Sequence, residues 1–285
     1  MARSVAILVA IGIGLLVPVA GQLSFLIRYS LMAMLFFSFL EVRFSFKLVQ
    51  RVHLLVVALN LSLPLLLFAI LHPFNPQIAL AVFAIAVAPT AAVAPVMAGF
   101  LRGNVSFVTA AVLLTSPTVA LVLPFMLPLV VGRQADISII QVALPIVSII
   151  FLPLLASLAL RWSWPGGASW LKQYSGYSFI LFLFNVFVAA ASAAQFAHEQ
   201  GSSALSLFAG IGLAIALLCL LQFRIGEWIG RPGLQVEASL SLGRKNTMFG
   251  IWLALTFISP VAALGPMFYI LYQNLYNSWQ LYRMR

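Results

Sequence analysis

The sequence predicts an all-α integral membrane protein, and composition is the first reason. Of its 285 residues 64% are hydrophobic and only 7% are charged, and the mean hydropathy is +1.12. A water-soluble domain of this length could not cover so large an apolar surface. The second reason is that the apolar residues form runs of about 20, long enough to cross a hydrocarbon core of about 30 Å as helices. No soluble domain or low-complexity linker separates these runs.

Ten spans can be placed along the chain, which we interpret as one polytopic domain, residues 1–285. They cover residues 4–20, 23–41, 52–71, 77–100, 104–131, 137–160, 177–198, 203–223, 234–259 and 261–280. Arg28 interrupts the first two spans. The first span resembles a signal peptide, but Pro18 lies at the −3 position of the only plausible cleavage site, so we expect no cleavage. The longest connection, residues 161–175, contains three tryptophans and is typical of an interfacial turn.

The lysines and arginines predict the orientation of the spans. With the N-terminus inside, only Arg28 and Arg133 fall outside, and Arg244 and Lys245 lie within a span. The inside group is Arg3, Arg43, Lys47, Arg51, Arg102, Arg161, Lys172, Arg224, Arg231, Arg283 and Arg285. This partition obeys the positive-inside rule, so we expect a multi-pass protein of the cell membrane, inner or plasma, with both termini cytoplasmic.

The remaining composition excludes several classes of protein. The net charge of +10 comes from basic residues scattered between apolar runs, so we expect a lipid bilayer and no nucleic acid as the charged partner. Cys219 is the single cysteine and lies in an apolar span, where we expect it to pack as a small hydrophobe. The spans contain no Walker-type loop, no His-Glu-x-x-His and no carboxylate pair. We therefore predict no enzymatic activity and no metal site.

Ten spans divide into two halves of five, about residues 1–135 and 136–285. An odd number of spans in each half makes the two halves cross the membrane in opposite senses. The fourth span of each half is interrupted: Pro89 and Pro95 disrupt the first, and Gly243 with the cations Arg244 and Lys245 disrupts the second. Interrupted spans at corresponding positions of inverted halves indicate the binding site of a secondary transporter, because broken helices expose backbone groups and half-helix termini.

Several motifs resemble the bile acid:sodium symporter family. They are Pro89, the run Gly99-Phe100-Leu101-Arg102-Gly103-Asn104, Gly243-x-x-Asn246, Pro266-Met267-Phe268-Tyr269, and Arg43, Lys47 and Arg51 after the second span. The resemblance covers essentially the whole chain in the order of the spans. It implies ten helices in a core domain and a panel domain, with the fourth and ninth helices crossing where they unwind. It also implies secondary transport of an organic anion.

The chain departs from this family at the positions that resemble its sodium site. Sodium-coupled members look like Glu-x-Gly-x-Gln-Asn in the ninth helix, where this chain has Ser241 at the Glu position and Lys245 at the Gln position. The Ser-Asn pair of the fourth helix falls on Ala94 and Pro95. Sodium prefers hard oxygen ligands, which an ammonium, a methyl group and a proline ring do not offer. We therefore predict a sodium-independent protein in which Lys245 replaces the cation.

The two cations of the ninth span leave several roles open. Lys245 is a ligand of a substrate anion, a proton carrier, or a structural cation paired with a backbone carbonyl or with Glu237; burial disfavours the charged form of a lysine. Arg244 stays charged and is a carboxylate ligand or faces elsewhere, since adjacent helical positions point about 100° apart. We expect Glu237 itself to be a solvated residue at the start of its helix.

Other polar residues at depth have structural or ligand-binding interpretations. The hydroxyls of Thr115 and Thr118 flank Pro117 and either bond freed backbone groups or contact the ligand. Asn60 and Asn185 are expected to form interhelical hydrogen bonds, with cavity lining as the alternative. Three histidines, His53, His72 and His198, lie near span ends without metal-ligand spacing, so we expect them at the interface.

The sequence as a whole predicts a secondary carrier of a small or amphipathic organic anion, working by alternating access, as a monomer or homodimer. The candidate substrate or ion site comprises Lys245, Arg244, Asn246, Ser241, Thr247, Pro89, Thr90, Pro95, Thr115 and Thr118. No cofactor is expected, and proton coupling through Lys245 and facilitated exchange both stay open. One alternative is a sodium symporter with a relocated site, using oxygens of Thr90, Thr115, Thr118, Ser241 and Asn246. The other is a non-transporting membrane sensor with a lysine-linked chromophore.

Overall fold

The computed structural model describes residues 2–41, 49–132, 139–200 and 203–283. Within these ranges the chain forms thirteen α-helices and no β-strand. The helices are α1 Ala2–Leu16, α2 Leu26–Glu41, α3 Arg51–Leu71, α4 Pro76–Ala86, α5 Ala94–Phe100, α6 Val105–Val131, α7 Ile139–Ser163, α8 Pro165–Lys172, α9 Ser178–Gln200, α10 Ser203–Ile229, α11 Gln235–Gly243, α12 Thr247–Leu253 and α13 Leu264–Arg283. Short 3₁₀ segments cover Pro18–Phe25 and Ser175–Tyr177, and a π-helical turn, Ala254–Ile258, follows α12.

Six of the described helical segments are long and apolar enough to cross a membrane, which confirms the prediction of an all-α membrane protein. They are Pro18–Glu41, Arg51–Leu71, Val105–Val131, Ile139–Ser163, Ser175–His198 and Leu205–Ile229. Three shorter apolar helices add to them: Val5–Leu16, Pro76–Ala86 and Thr247–Ile258. Their exposed faces carry large apolar residues such as Leu16, Leu129 and Leu144, as expected of helices that face lipid rather than water.

The helices pack in two groups. In the first group α1 and α2 pack against α9, and α2 also packs against α7. In the second group α3 packs against α4 and α6, and α10 packs against α11, α13 and α4. The α10–α11 pair approaches closely because α10 presents small residues: a Cβ added at Gly226 would lie 2.5 Å from the carbonyl oxygen of Ala238. Contacts between α6 and α7 join the two groups.

One expectation about the connections was wrong. The turn expected over residues 161–175 is mostly helical, because α7 continues to Ser163 and Pro165 then begins α8, where its missing N–H costs nothing. Arg28, which interrupts the span expected over residues 23–41, lies near the start of α2, and its guanidinium donates a 3.0 Å hydrogen bond to Ser148 of α7. Several residues used for the orientation, namely Arg43, Lys47, Arg133 and Arg285, lie outside the described residues.

Two apolar spans are each broken into two shorter helices, at the positions that the sequence predicted. The first consists of α4 and α5, separated by residues 87–93, and the second consists of α11 and α12, separated by residues 244–246. Pro89 explains the first break, since it lacks an N–H and disfavours helical backbone at Ala88. The α6 helix, by contrast, runs without interruption past Pro117. The two broken spans bring the candidate site together.

Candidate functional site at the contact between the broken helices

The two breaks touch each other through their backbones. Thr90 and Lys245 form an isolated antiparallel β-bridge. The N–H of Ala91 donates to the carbonyl of Arg244 at 2.8 Å, and the N–H of Asn246 donates to the carbonyl of Pro89 at 2.8 Å. Each break thus satisfies backbone groups that the other leaves unpaired, as buried non-helical backbone requires. We call this contact, residues 87–93 with residues 244–246, the crossover.

Thr90 ties the crossover to two helices. Its hydroxyl donates a 2.6 Å hydrogen bond to the carbonyl oxygen of Ser241, and its N–H donates to the hydroxyl oxygen of Thr115 at 3.1 Å. Thr115 in turn donates to the carbonyl of Ala111 at 2.8 Å. Thr118 bonds only its own helix, through the carbonyl of Leu114 at 2.7 Å. The structure therefore brings Thr90, Thr115 and Ser241 together, whereas the described hydrogen bond of Thr118 stays within α6.

Asn246, Thr247 and Pro95 lie at the starts of the half-helices. Asn246 precedes α12, and its side-chain oxygen accepts a 3.2 Å hydrogen bond from the N–H of Phe249, which is an N-cap. Thr247 is the buried first residue of α12. Pro95 is buried near the start of α5, where proline is tolerated. These three residues therefore shape the second half-helices.

Lys245 is the most deeply buried charged side chain at the crossover. It is 1% exposed, and its ammonium donates to the side-chain oxygen of Asn60 in α3. The amide nitrogen of Asn60 donates to the carbonyl of Val87 at 3.3 Å, at the first residue of the break. The backbone N–H of Lys245 donates to the side-chain oxygen of Gln273 in α13 at 3.2 Å. Lys245 thus joins the crossover to α3 with its side chain and to α13 with its backbone.

Of the alternatives left open for Lys245, the pairing with a backbone carbonyl or with Glu237 is not among its described contacts, where Asn60 is the side-chain partner. The expectation of a solvated Glu237 was wrong. Glu237 is 7% exposed, and its carboxylate accepts a 2.6 Å hydrogen bond from the N–H of Asn104. It is engaged there because α11 packs beside the link between α5 and α6. Among the residues that the structure describes, no carboxylate lies within 4.0 Å of the Lys245 ammonium.

Arg244 points to a different helix. Its guanidinium donates through Nη1 to the side-chain oxygen of Asn277 and through Nη2 to that of Asn274 at 3.4 Å, both in α13. The side chain is 8% exposed, and its Nε is buried with no hydrogen-bond partner. Because the backbone at Arg244 is extended, with φ −90° and ψ 99°, Arg244 and Lys245 face opposite sides of the segment.

Gly243 is needed for close packing rather than for an unusual backbone angle. A Cβ at this position would lie 2.4 Å from Cγ of Phe223 in α10, closer than real Cβ contacts. Its carbonyl accepts a 2.6 Å hydrogen bond from the hydroxyl of Tyr269, which also lies 2.8 Å from the side-chain oxygen of Gln222. The end of α11 is therefore held by α10 and α13 together.

The other polar residues take mostly structural positions. Asn185 bonds the hydroxyl of Ser30 in α2, which is the interhelical role expected of it. Cys219 is 2% exposed and packs in the core, as predicted. His53 is fully buried rather than interfacial, because its Nε2 bonds the carbonyl of Phe107 at 3.0 Å and its ring stacks on the phenyl group. By contrast His72 and His198 are exposed.

Sequence reasoning missed the polar face of α13. Gln273, Asn277 and Gln280 are all buried, and Gln273 and Asn277 contact the crossover segment. They recur at intervals of four and three, which places them on one side of a helix. That spacing inside an otherwise aromatic and apolar helix was the signal that would have found them.

The geometry defines a class of protein: a polytopic α-helical membrane protein whose two broken helices meet at a crossover that carries two buried cations. Comparison with protein-family models gives no match for this chain, and comparison with curated proteins gives none either.

Proposed function

We propose that this protein is a secondary carrier of an organic anion, which is independent of sodium because the Lys245 ammonium occupies the position of a cation. The observation that carries the proposal is the Lys245 side chain itself: it is 1% exposed at the contact of two broken helices, and its described partner is the neutral amide of Asn60. Charged residues at such depth are costly and typically mark the pathway of a substrate or ion. Broken helices in contact are the usual setting of such a pathway.

The packing of the helices supports ten spans in two inverted five-helix repeats, the architecture that the resemblance to the bile acid:sodium symporter family implies. The first group of helices takes α1 and α2 from one half of the chain and α7 and α9 from the other. The second group takes α3 to α6 from one half and α10 to α13 from the other. Each proposed repeat thus gives two spans to the first group and three to the second, which suits a panel rocking against a core. With the lysine and arginine pattern, we place both termini on the cytoplasmic side of the cell membrane.

The Lys245 ammonium argues against the sodium-coupled alternative, because a sodium ion placed at the crossover would meet a like charge. The Asn246 oxygen also already accepts the N–H of Phe249 at the start of α12. The hydroxyls of Thr90, Thr115, Thr118 and Ser241 each donate to a backbone carbonyl, which uses their hydrogens and leaves their oxygen lone pairs.

A stability screen tests this proposal. The purified protein in detergent is melted with a panel of carboxylates, in sodium and in choline buffers, since a ligand that binds only the native state raises the melting temperature. We expect one or more carboxylates to raise the melting temperature equally in both buffers. A shift that requires sodium would contradict sodium independence, and the absence of any shift from a broad panel of anions would contradict an anion carrier.

A further inference from the structure

We infer that Arg244 binds the carboxylate group of a monocarboxylate, at the contact between the crossover and α13. This inference rests on the proposed anion carrier and assigns its ligand to a particular side chain and chemical class. Lys245 does not share the role, because its ammonium faces Asn60 in α3 while Arg244 faces Asn274 and Asn277 in α13.

The first step is the hydrogen bonding of the guanidinium. Arginine carries five N–H donors in a planar fork and no acceptor. The two asparagine oxygens of α13 accept from Nη1 and Nη2, and the second of these bonds is long, at 3.4 Å. The Nε of Arg244 is buried and has no partner among the described residues. Buried donors are almost always paired in native proteins, with protein groups, ordered water or a ligand, so this N–H is available to an acceptor that the chain does not supply.

The second step is charge. Arg244 is 8% exposed, and no carboxylate of the described chain lies within 4.0 Å of it. Its neighbours form a neutral amide network: the Asn277 amide donates to Gln280 at 3.3 Å, and the Gln280 amide donates to Ser239 at 3.3 Å. A buried cation with only neutral partners is destabilising. A bound carboxylate would relieve that cost and would satisfy the guanidinium with two parallel N–H···O bonds.

The third step is the class of ligand. The network fixes the asparagine oxygens toward Arg244, since the Asn274 amide nitrogen is engaged with the carbonyl of Ile270 at 2.8 Å. These acceptor oxygens repel a second anionic group, and Arg244 is the cation that donates to both of them. A ligand with one carboxylate therefore fits the site. The neutral amide analogue of the same ligand would lack the negative charge and would have one acceptor oxygen instead of two. The matched probes are benzoate and benzamide.

The test places a carboxylate inside the protein. Asn277→Asp puts an anionic oxygen where the guanidinium already donates, so Arg244 becomes paired internally. We expect the melting temperature without ligand to rise, and the Kd for benzoate to rise about tenfold or more, a loss of about 1.4 kcal/mol. Arg244→Gln, which removes the charge, should lose benzoate binding as well. Benzamide should not bind any of these proteins.

The control is Asn75→Asp, the same chemical change at the N-cap of α4, where the side chain accepts from the N–H groups of Gln77 and Ile78. Aspartate is as good an N-cap as asparagine, so the Kd for benzoate should stay at the wild-type value. Benzoate that binds wild type and Asn277→Asp equally would overturn the assignment to Arg244 and leave the carrier proposal intact. Binding that depends on Arg244 without any uptake into vesicles would instead overturn the carrier and retain the site. A wild-type protein that binds no carboxylate would overturn both.

Discussion

The hydrogen bond between Lys245 and Asn60 gives the sharpest stability prediction. Removing one partner should change the free energy of unfolding differently from removing both. Asn60→Leu leaves a buried ammonium without its described side-chain partner, which costs about 3–5 kcal/mol. Lys245→Met leaves the Asn60 oxygen unpaired, at about 1–3 kcal/mol. Lys245→Met also removes a buried charge, which costs about 2.5–3.5 kcal/mol within a membrane span. This gain offsets the cost of the unpaired Asn60 oxygen, so the free energy of unfolding should stay near the wild-type value. The double variant removes both groups and should lie close to wild type.

The single cysteine provides the assay. Cys219 is 2% exposed in the folded protein, so a dye that fluoresces on reaction with a thiol reports unfolding during a temperature ramp. At about 2–4 °C per kcal/mol, Asn60→Leu should melt about 6 °C or more below wild type, and adding Lys245→Met should recover most of that loss. The weak bond from Asn60 to Val87 is lost in both the single and the double variant and cancels in this comparison.

Asn185→Leu is the matched control, since Asn185 is also fully buried but bonds the neutral hydroxyl of Ser30. It should lose only about 1 kcal/mol, as expected of a neutral hydrogen bond within a membrane protein. Additive effects of Asn60→Leu and Lys245→Met would refute the reasoning, because they would mean that the ammonium does not depend on this amide.

Two further predictions concern packing and topology. Gly243→Ala should destabilise the protein by about 1–3 kcal/mol, because the added Cβ would lie 2.4 Å from the buried Phe223 ring. A melting temperature equal to that of wild type would contradict this packing. In a Cys219→Ala background, single cysteines within residues 161–172 should resist impermeant thiol reagents in intact cells, and those within residues 72–77 should react. The reverse pattern would overturn the proposed orientation.

The sequence predicted the breaks in the helices because their causes are local. Pro89 cannot donate a backbone hydrogen bond, and Arg244 and Lys245 are unfavourable in an unbroken apolar helix. The contact between the breaks was expected only through a family resemblance. Thr90 and Lys245 are 155 positions apart (245 − 90), and no local property of either residue specifies that they form an antiparallel bridge. Tertiary packing supplies that contact.

The partners of the two cations were not predictable for the same reason. Helical geometry relates Glu237 to Lys245 only if α11 continues, and it ends at Gly243. Asn60 lies on another helix, so its role as the partner of Lys245 requires the packing of α3 beside the crossover. The opposite directions of Arg244 and Lys245 follow from the extended backbone at Arg244, whereas a helix would have turned them about 100° apart.

The most direct test of the central claim is uptake into proteoliposomes of the carboxylate that stabilises the protein most, compared in sodium and in choline. Wild type should transport equally in both, and Lys245→Met should fall about tenfold or more while it stays folded, a rise in the barrier of about 1.4 kcal/mol. Lys172→Met, which removes a lysine at the end of α8 rather than at the crossover, should transport as wild type does. A saturable requirement for sodium, or a Lys245→Met protein that transports at the wild-type rate, would contradict the account.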